Sequence, residues 1–99
     1  FAESLGLDLA TTLDVLQAGP AASTVMKTKG EKMLEREFKP QARLAQHLKD
    51  VKVILDTGLT VGANLPMSAV HEKLLEDLVQ AGNGDLDNSA IIKAFRSAE

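Results

Sequence analysis

Apolar residues recur every three or four positions along most of this chain, and that spacing places them on one side of an α-helix. The longest stripe consists of Leu44, Leu48, Val51, Leu55 and Leu59. Because proline suits the first position of a helix, the pattern predicts one long helix that Pro40 opens and that covers residues 41–61. Val53 and Ile54 widen its apolar surface, and such a helix is usually covered by several neighbours.

A short helix is predicted near the start of the chain. Asp8 is a suitable N-cap for it, and Gly19-Pro20 ends it. Its apolar positions are Leu9, Leu13 and Leu16. The residues before it, up to Leu5, have the pattern of a helix end, with Gly6 just past the end. A helix that is already ending there indicates that the chain is a fragment of a longer protein.

A second short helix is predicted over residues 21–29, with Val25 and Met26 as its apolar anchors. Gly30 is expected to break this helix, because glycine is a poor helix former. One or two further helical turns are predicted in the charged segment around Met33 and Leu34. The segment Phe38-Lys39-Pro40 is then predicted to be a connector, since a residue before proline avoids the helical conformation.

After the long helix, residues 62–66 form a predicted loop, and a further helix ends at Gly82. The apolar stripe of that helix is Met67, Val70, Leu74, Leu75, Leu78 and Val79. Asp87 or Asn88 can cap a last helix. Its inward residues are predicted to be Ile91, Ile92 and Phe95. No alternation typical of strands occurs, so the predicted fold class is all-α, with five to seven helices around one long central helix.

Composition sets further bounds. The chain has 99 residues, so we expect one domain over residues 1–99. With 44% hydrophobic and 25% charged residues it is an ordinary globular sequence. A net charge of -3 argues against a nucleic-acid partner. No apolar run approaches the roughly 20 residues of a membrane span, and the absence of cysteine excludes thiol chemistry.

Few side chains are obvious candidates for chemistry. His47 and His71 are 24 positions apart without a recognised spacing, so no metal site is predicted. Ser23 lacks a histidine at a nucleophile's spacing. Lys49 lies at the edge of the long stripe, where its stem can be buried while its ammonium reaches a cleft. From the sequence alone, the ordinary interpretation is a surface lysine paired with Asp50 or with a carboxylate one turn away.

An ordered set of short motifs nevertheless resembles a known family. It consists of Ala21-Ala22-Ser23, Gly30, Met33-Leu34, Phe38-Lys39-Pro40, Lys49-Asp50, Leu65-Pro66, Gly82, Gly84, Asp87 and Ser89-Ala90. Each motif is weak alone, but together they resemble the C-terminal helical domain of the β-hydroxyacid dehydrogenases. That family includes 3-hydroxyisobutyrate dehydrogenase and tartronate semialdehyde reductase, and residues 55–66 are similar to the latter branch.

The resemblance implies a fold and a role. The fold would be the helical C-terminal domain of the 6-phosphogluconate dehydrogenase-like type, without the N-terminal Rossmann domain. The parent enzyme would use NAD or NADP to move a hydride between the nicotinamide and the hydroxyl-bearing carbon of a short 3-hydroxy acid. It would form a homo-oligomer in the cytoplasm or an organelle matrix. Lys49 would contact the cofactor's nicotinamide end, and Phe38 and Asp56 would line the substrate cleft.

The same resemblance leaves out the catalytic residues. In the family, the Gly-rich turn, the substrate loop and the catalytic lysine lie upstream, so no catalytic residue is expected in this chain and the isolated fragment should be inactive. Where the family often has an aromatic residue two positions after the Phe-x-Pro proline, this chain has Ala42. An alternative interpretation is a non-catalytic oligomerisation or interaction module derived from the same fold.

Overall fold

The computed structural model describes residues 1–96, and they form two compact units, residues 1–37 and the part of the chain from Phe38 onward. The helices are α1 (Leu9–Gln17), α2 (Thr24–Glu35), α3 (Leu44–Val61), α4 (Pro66–Gln80) and a 3₁₀ helix (Asn88–Phe95). Over these residues there is no strand, only one isolated antiparallel bridge. The all-α prediction is confirmed, and the boundary between the units falls at the predicted connector. Whether they act as one domain stays a prediction.

The first unit begins with a helical turn that ends at Gly6. The N–H of Leu7 donates to the carbonyl of Ala2 at 3.1 Å, and the N–H of Gly6 donates to that of Glu3 at 3.0 Å. This pair of bonds is the Schellman arrangement of a helix end, and it requires the positive φ of 74° at Gly6. The predicted helix end is confirmed.

Helix α1 starts as predicted. The Asp8 side chain accepts a hydrogen bond from the N–H of Thr11 at 3.0 Å and another from its hydroxyl at 2.6 Å. These hydrogen bonds to Thr11 lower the pKa of the Asp8 carboxyl. Such a cap satisfies N–H groups that the first turn of a helix leaves unpaired.

Helix α2 contradicts the prediction that Gly30 breaks it. Ser23 caps the helix by accepting from the N–H of Met26 at 3.0 Å, and the helix then runs through Gly30 to Glu35. A Cβ at position 30 would lie 2.7 Å from Cδ1 of Leu13, so glycine permits the close approach of α1. The anchor prediction for Val25 was also wrong, since its side chain is exposed.

In the second unit, α3 begins four residues after Pro40, so the predicted start was wrong. Residues 40–43 are instead held in a non-helical path beside residues 84–88. The N–H of Leu44 donates to the carbonyl of Leu86 at 2.8 Å, and the N–H of Ala45 donates to that of Gly84 at 2.9 Å. The first N–H groups of α3 therefore have partners far along the chain instead of a local cap.

The core of this unit lies between α3, α4 and the 3₁₀ helix. Its buried apolar residues are Leu44, Leu48, Val51, Leu75, Leu78 and Ala90. Gly58 is the last buried residue of α3, and a Cβ there would lie 2.7 Å from Cδ1 of Leu65. Leu59 was predicted to continue the stripe, but it is 82% exposed, and the buried position after Val51 is Gly58 instead. Glycine at position 58 thus permits the close approach of Leu65 to α3.

The ends of the second unit differ from the predictions in two further places. Phe95 was predicted to face inward but is 70% exposed, because a 3₁₀ helix has three residues per turn and rotates it away from the core. Met67 and Val70 of the α4 stripe are also exposed. Within residues 1–96, no helix is both long and apolar enough to cross a bilayer.

Candidate functional site

The carboxylate of Asp87 fixes the segment in which the predicted cleft residue Phe38 lies. Asp87 is fully buried, and its Oδ1 accepts from the N–H of Gln41 at 2.9 Å and of Ala42 at 3.2 Å. Its Oδ2 accepts from the N–H of Ser89 at 3.0 Å and from the Ser89 hydroxyl. One side chain thus caps the 3₁₀ helix and secures the entry to α3.

Backbone hydrogen bonds also join residues 87–88 to residues 38–42. The N–H of Asp87 donates to the carbonyl of Phe38 at 2.9 Å, and the N–H of Asn88 donates to that of Ala42 at 2.7 Å. We call residues 38–45 with residues 84–88 the clasp. Because both backbone and side chain hold it, the clasp presents Phe38 from a fixed frame at the N-terminal end of α3.

Phe38 combines packing with electrostatics. Its side chain is half-buried against the core, and Nζ of Lys93 lies 5.6 Å from the centre of its ring. A lysine ammonium over an aromatic face is attracted by the ring's negative quadrupole. Phe38 therefore closes one edge of the core and holds a cation on its outer face.

Lys49 is exposed on α3, and its side chain makes no ion pair within residues 1–96. The predicted pairing with Asp50 or a carboxylate one turn away is thus absent from this part of the chain. Three positions along the helix, Lys52 is engaged differently, with Nζ at 2.6 Å from Oε1 of Glu76 and 3.8 Å from Oε2 of Glu72. Hydrogen bonding to Glu76 raises the pKa of Lys52. Lys49 is left available to an external anion, whereas Lys52 ties α3 to α4.

Asp56 lies in a different place. It lines an open surface groove with a volume of about 390 Å³ where α3 turns into α4, together with Leu55, Leu59, Ala63, Asn64, Leu65, Pro66, Ala69 and Glu72. From Leu44 at the clasp to Asp56 is roughly 18 Å of axial rise, at 1.5 Å per residue. The two predicted cleft residues Phe38 and Asp56 are therefore at opposite ends of α3, with Lys49 between them.

The two histidines meet, although no spacing pattern indicated that they would. The ring centres of His47 on α3 and His71 on α4 are 5.0 Å apart, with the planes inclined by 55°. Burial, followed by the nearby His47, lowers the pKa of His71. Both side chains are half-buried. No cluster of three or more metal-binding side chains occurs among the described residues.

Asp87 was underestimated from the sequence, which indicated only a possible cap. Its local signal was the spacing Asp-x-Ser, in which the carboxylate reaches the N–H two residues on. Its contacts with Gln41 and Ala42 span 46 and 45 positions, so no local pattern could indicate them.

Comparison with known proteins places residues 1–95 in one family model, described as "NAD-binding of NADP-dependent 3-hydroxyisobutyrate dehydrogenase". The chain is 32% identical over 95 residues to 2-hydroxy-3-oxopropionate reductase of Escherichia coli, covering 96% of this chain and 32% of the relative. The chain thus spans about a third of the length of this relative.

A solved structure and a second kind of relative complete the comparison. The Mycobacterium tuberculosis 3-hydroxyisobutyrate dehydrogenase, solved with L-serine, is similar with a TM-score of 0.85 and 25% identity, over 97% of this chain and 35% of that one. The cytokine-like nuclear factor N-PAC of Aedes aegypti is 29% identical over 90 residues, which are 91% of this chain and 16% of the relative.

Proposed function

Because this chain belongs to the family of NAD-binding domains of NADP-dependent 3-hydroxyisobutyrate dehydrogenase, we propose that it is the helical part of an NAD(P)-dependent 3-hydroxyacid oxidoreductase. The parent moves a hydride between the nicotinamide and the hydroxyl-bearing carbon of a short 3-hydroxy acid. A Rossmann domain outside the present chain binds most of the dinucleotide. The family match over residues 1–95 is the observation that carries this proposal.

Lys49 supplies the cation of this part of the site. An exposed ammonium with no ion pair among residues 1–96 suits contact with the cofactor or with a substrate carboxylate. Phe38, held by the clasp, forms one wall of the substrate cleft. Asp56 is the more remote candidate, since roughly 10 Å of axial rise separate it from Lys49 at 1.5 Å per residue. The chain itself contributes positioning and charge, while the proton-transferring residue lies elsewhere in the parent.

The substrate class is tested on the full-length parent. Purified enzyme is assayed with NADH and NADPH against 2-hydroxy-3-oxopropionate and succinic semialdehyde, and with NAD and NADP against 3-hydroxyisobutyrate. We expect turnover of at least one of these pairs and none by the 99-residue chain alone. A folded parent that turns over none of them, and binds neither dinucleotide in calorimetry, contradicts the oxidoreductase proposal.

We also propose that α3 contributes to a homo-oligomer interface. Val53 and Ile54 lie on neighbouring positions of α3 and are 58% and 51% exposed. Clustered exposed apolar side chains favour association, because pairing removes them from water. Light scattering of the wild-type chain and of Val53→Asp at high micromolar concentration tests this. A monomeric wild type, or a variant with unchanged mass, contradicts it.

The second candidate is a non-catalytic assembly module, which the similarity to N-PAC favours, since that relative is named as a nuclear factor. In that case the parent binds no hydroxy acid, and Lys49 has no effect on any turnover. The same assays separate the two candidates, because oligomerisation without dinucleotide-dependent turnover supports the module.

A further inference from the structure

His47 and His71 lie on one flank of the contact between α3 and α4, and the charged residues of that contact lie on the other. His47 and Lys52 are five positions apart, which is about 140° around a helix, and the same holds for His71 and Glu76. The His47–His71 and Lys52–Glu76 contacts therefore mark opposite flanks. Around α4, His71 is thus about 140° from Glu76 and about 100° from Glu72, the two carboxylates that hold Lys52.

The spacing of the two rings fits a shared metal ion. A metal–nitrogen bond of about 2.0–2.1 Å puts each ring centre about 3.2 Å from the metal. Two such rings at an angle of about 90–110° have centres about 4.5–5.2 Å apart. The observed separation is 5.0 Å. The separation of the ring centres thus lies within the range that two imidazoles on one ion would have.

We propose that His47 and His71 form a two-imidazole site for a divalent transition metal such as Zn²⁺, Ni²⁺ or Cu²⁺, which would clamp α3 to α4. Imidazole nitrogen suits these ions, whereas Mg²⁺ and Ca²⁺ prefer oxygen ligands. Two protein ligands leave other coordination positions to water or to a group from a partner. This proposal is independent of the oxidoreductase activity, because neither histidine belongs to the proposed cleft.

The chain is well suited to a direct test, since it has two histidines and no cysteine. Zn²⁺ is titrated into the tag-free 99-residue chain by calorimetry at neutral pH, with Mg²⁺ as the negative control. We expect one Zn²⁺ per chain and a raised thermal midpoint. His47→Gln and His71→Gln should each weaken binding at least tenfold, because a chelate becomes a single ligand.

Glu72→Gln is the matched control, because it changes the residue next to His71 but lies on the Lys52 flank. It should bind Zn²⁺ as the wild type does. Circular dichroism confirms that each variant is folded. Should a variant fail to fold, Cu²⁺ broadening of both imidazole signals in wild-type NMR spectra at equal ion concentration provides the second measurement.

Three results would overturn the proposal. Unchanged Zn²⁺ affinity in either single-histidine variant means that the rings do not act together. Two ions per chain mean that each histidine binds alone. One ion per two chains, with a doubled mass in light scattering, means that the metal bridges molecules instead of helices.

Discussion

The side chain of Asp87 accepts a hydrogen bond from the N–H of Gln41, 46 positions earlier, at 2.9 Å. The same oxygen accepts from the N–H of Ala42, so one buried carboxylate helps to hold the segment that carries Phe38 in place. Every regular element among residues 1–96 is a helix, yet the candidate site depends on a contact between two irregular segments.

Asp87→Ala should lower the free energy of unfolding by at least about 3 kcal/mol. It removes an N-cap worth about 1 kcal/mol and takes the hydrogen-bond partner from the partly buried N–H groups of Gln41 and Ala42, at about 1 kcal/mol each. Urea unfolding followed by circular dichroism measures the change. The control is Asp85→Ala, because that carboxylate is 92% exposed and should leave the midpoint almost unchanged. Equal effects of the two variants would contradict the role of the clasp.

Gly30→Ala should destabilise the chain although alanine is the better helix former. The gain in helix propensity is about 1 kcal/mol, while overpacking typically costs about 1–3 kcal/mol. Cδ1 and Cδ2 of Leu13 lie 2.7 and 3.2 Å from the added Cβ, so the Leu13 side chain has to leave its packed position. In a Leu13→Ala background the same change should be neutral or stabilising, which a double-mutant cycle of urea midpoints measures. Additive effects would show that the two residues are not coupled.

Stability should fall on acidification through His71. Its pKa is lowered in the folded protein from 6.5, so below that value the unfolded chain binds more protons than the folded one. The contribution of His71 is complete above about pH 6.5 and is lost as the pH falls through the lower folded pKa. Urea midpoints at pH 7.5 and 5.0 with a chelator present measure this. His71→Gln should show a smaller drop, and an equal drop would assign the effect to other groups.

Lys49→Ala should impair the full-length parent without unfolding it. Loss of one charge-assisted contact costs about 1.5–3 kcal/mol, or roughly 10- to 150-fold in kcat/KM. The matched control on the same helix is Lys52→Ala, which removes the ion pair with Glu76 and should retain kcat/KM. Steady-state kinetics with circular dichroism as a folding control measure both. Wild-type kcat/KM in a folded Lys49→Ala enzyme would show that Lys49 is only a surface lysine.

Features set by neighbouring residues were predictable from the sequence, and features set by distant partners were not. The cap of Asp8 and the helix end at Gly6 involve residues within five positions, and both were predicted. The start of α3 was misplaced because the N–H of Leu44 donates to the carbonyl of Leu86. The local spacing of apolar residues does not indicate such a distant partner. Gly30 was misread for the same reason, since its neighbour Leu13 comes from another helix.

The candidate site divides in the same way. Lys49 and Phe38 were indicated by the resemblance to a family, and their exposure and surroundings came only from the structure. The proximity of His47 and His71 depends on how α3 packs against α4. It could not be predicted from the sequence, in which the two residues are 24 positions apart.

The clasp also has a consequence for the order of folding. Its backbone hydrogen bonds join residues 39 to 49 positions apart, whereas α3 and α4 are joined by a short turn, and closing a longer loop costs more chain entropy. We expect the α3–α4 hairpin to form in the rate-limiting step and the clasp to close after it. Asp87→Ala would then accelerate unfolding and leave the refolding rate nearly unchanged. The segment that carries Phe38 would then be the last part of this unit to fold and the first to unfold.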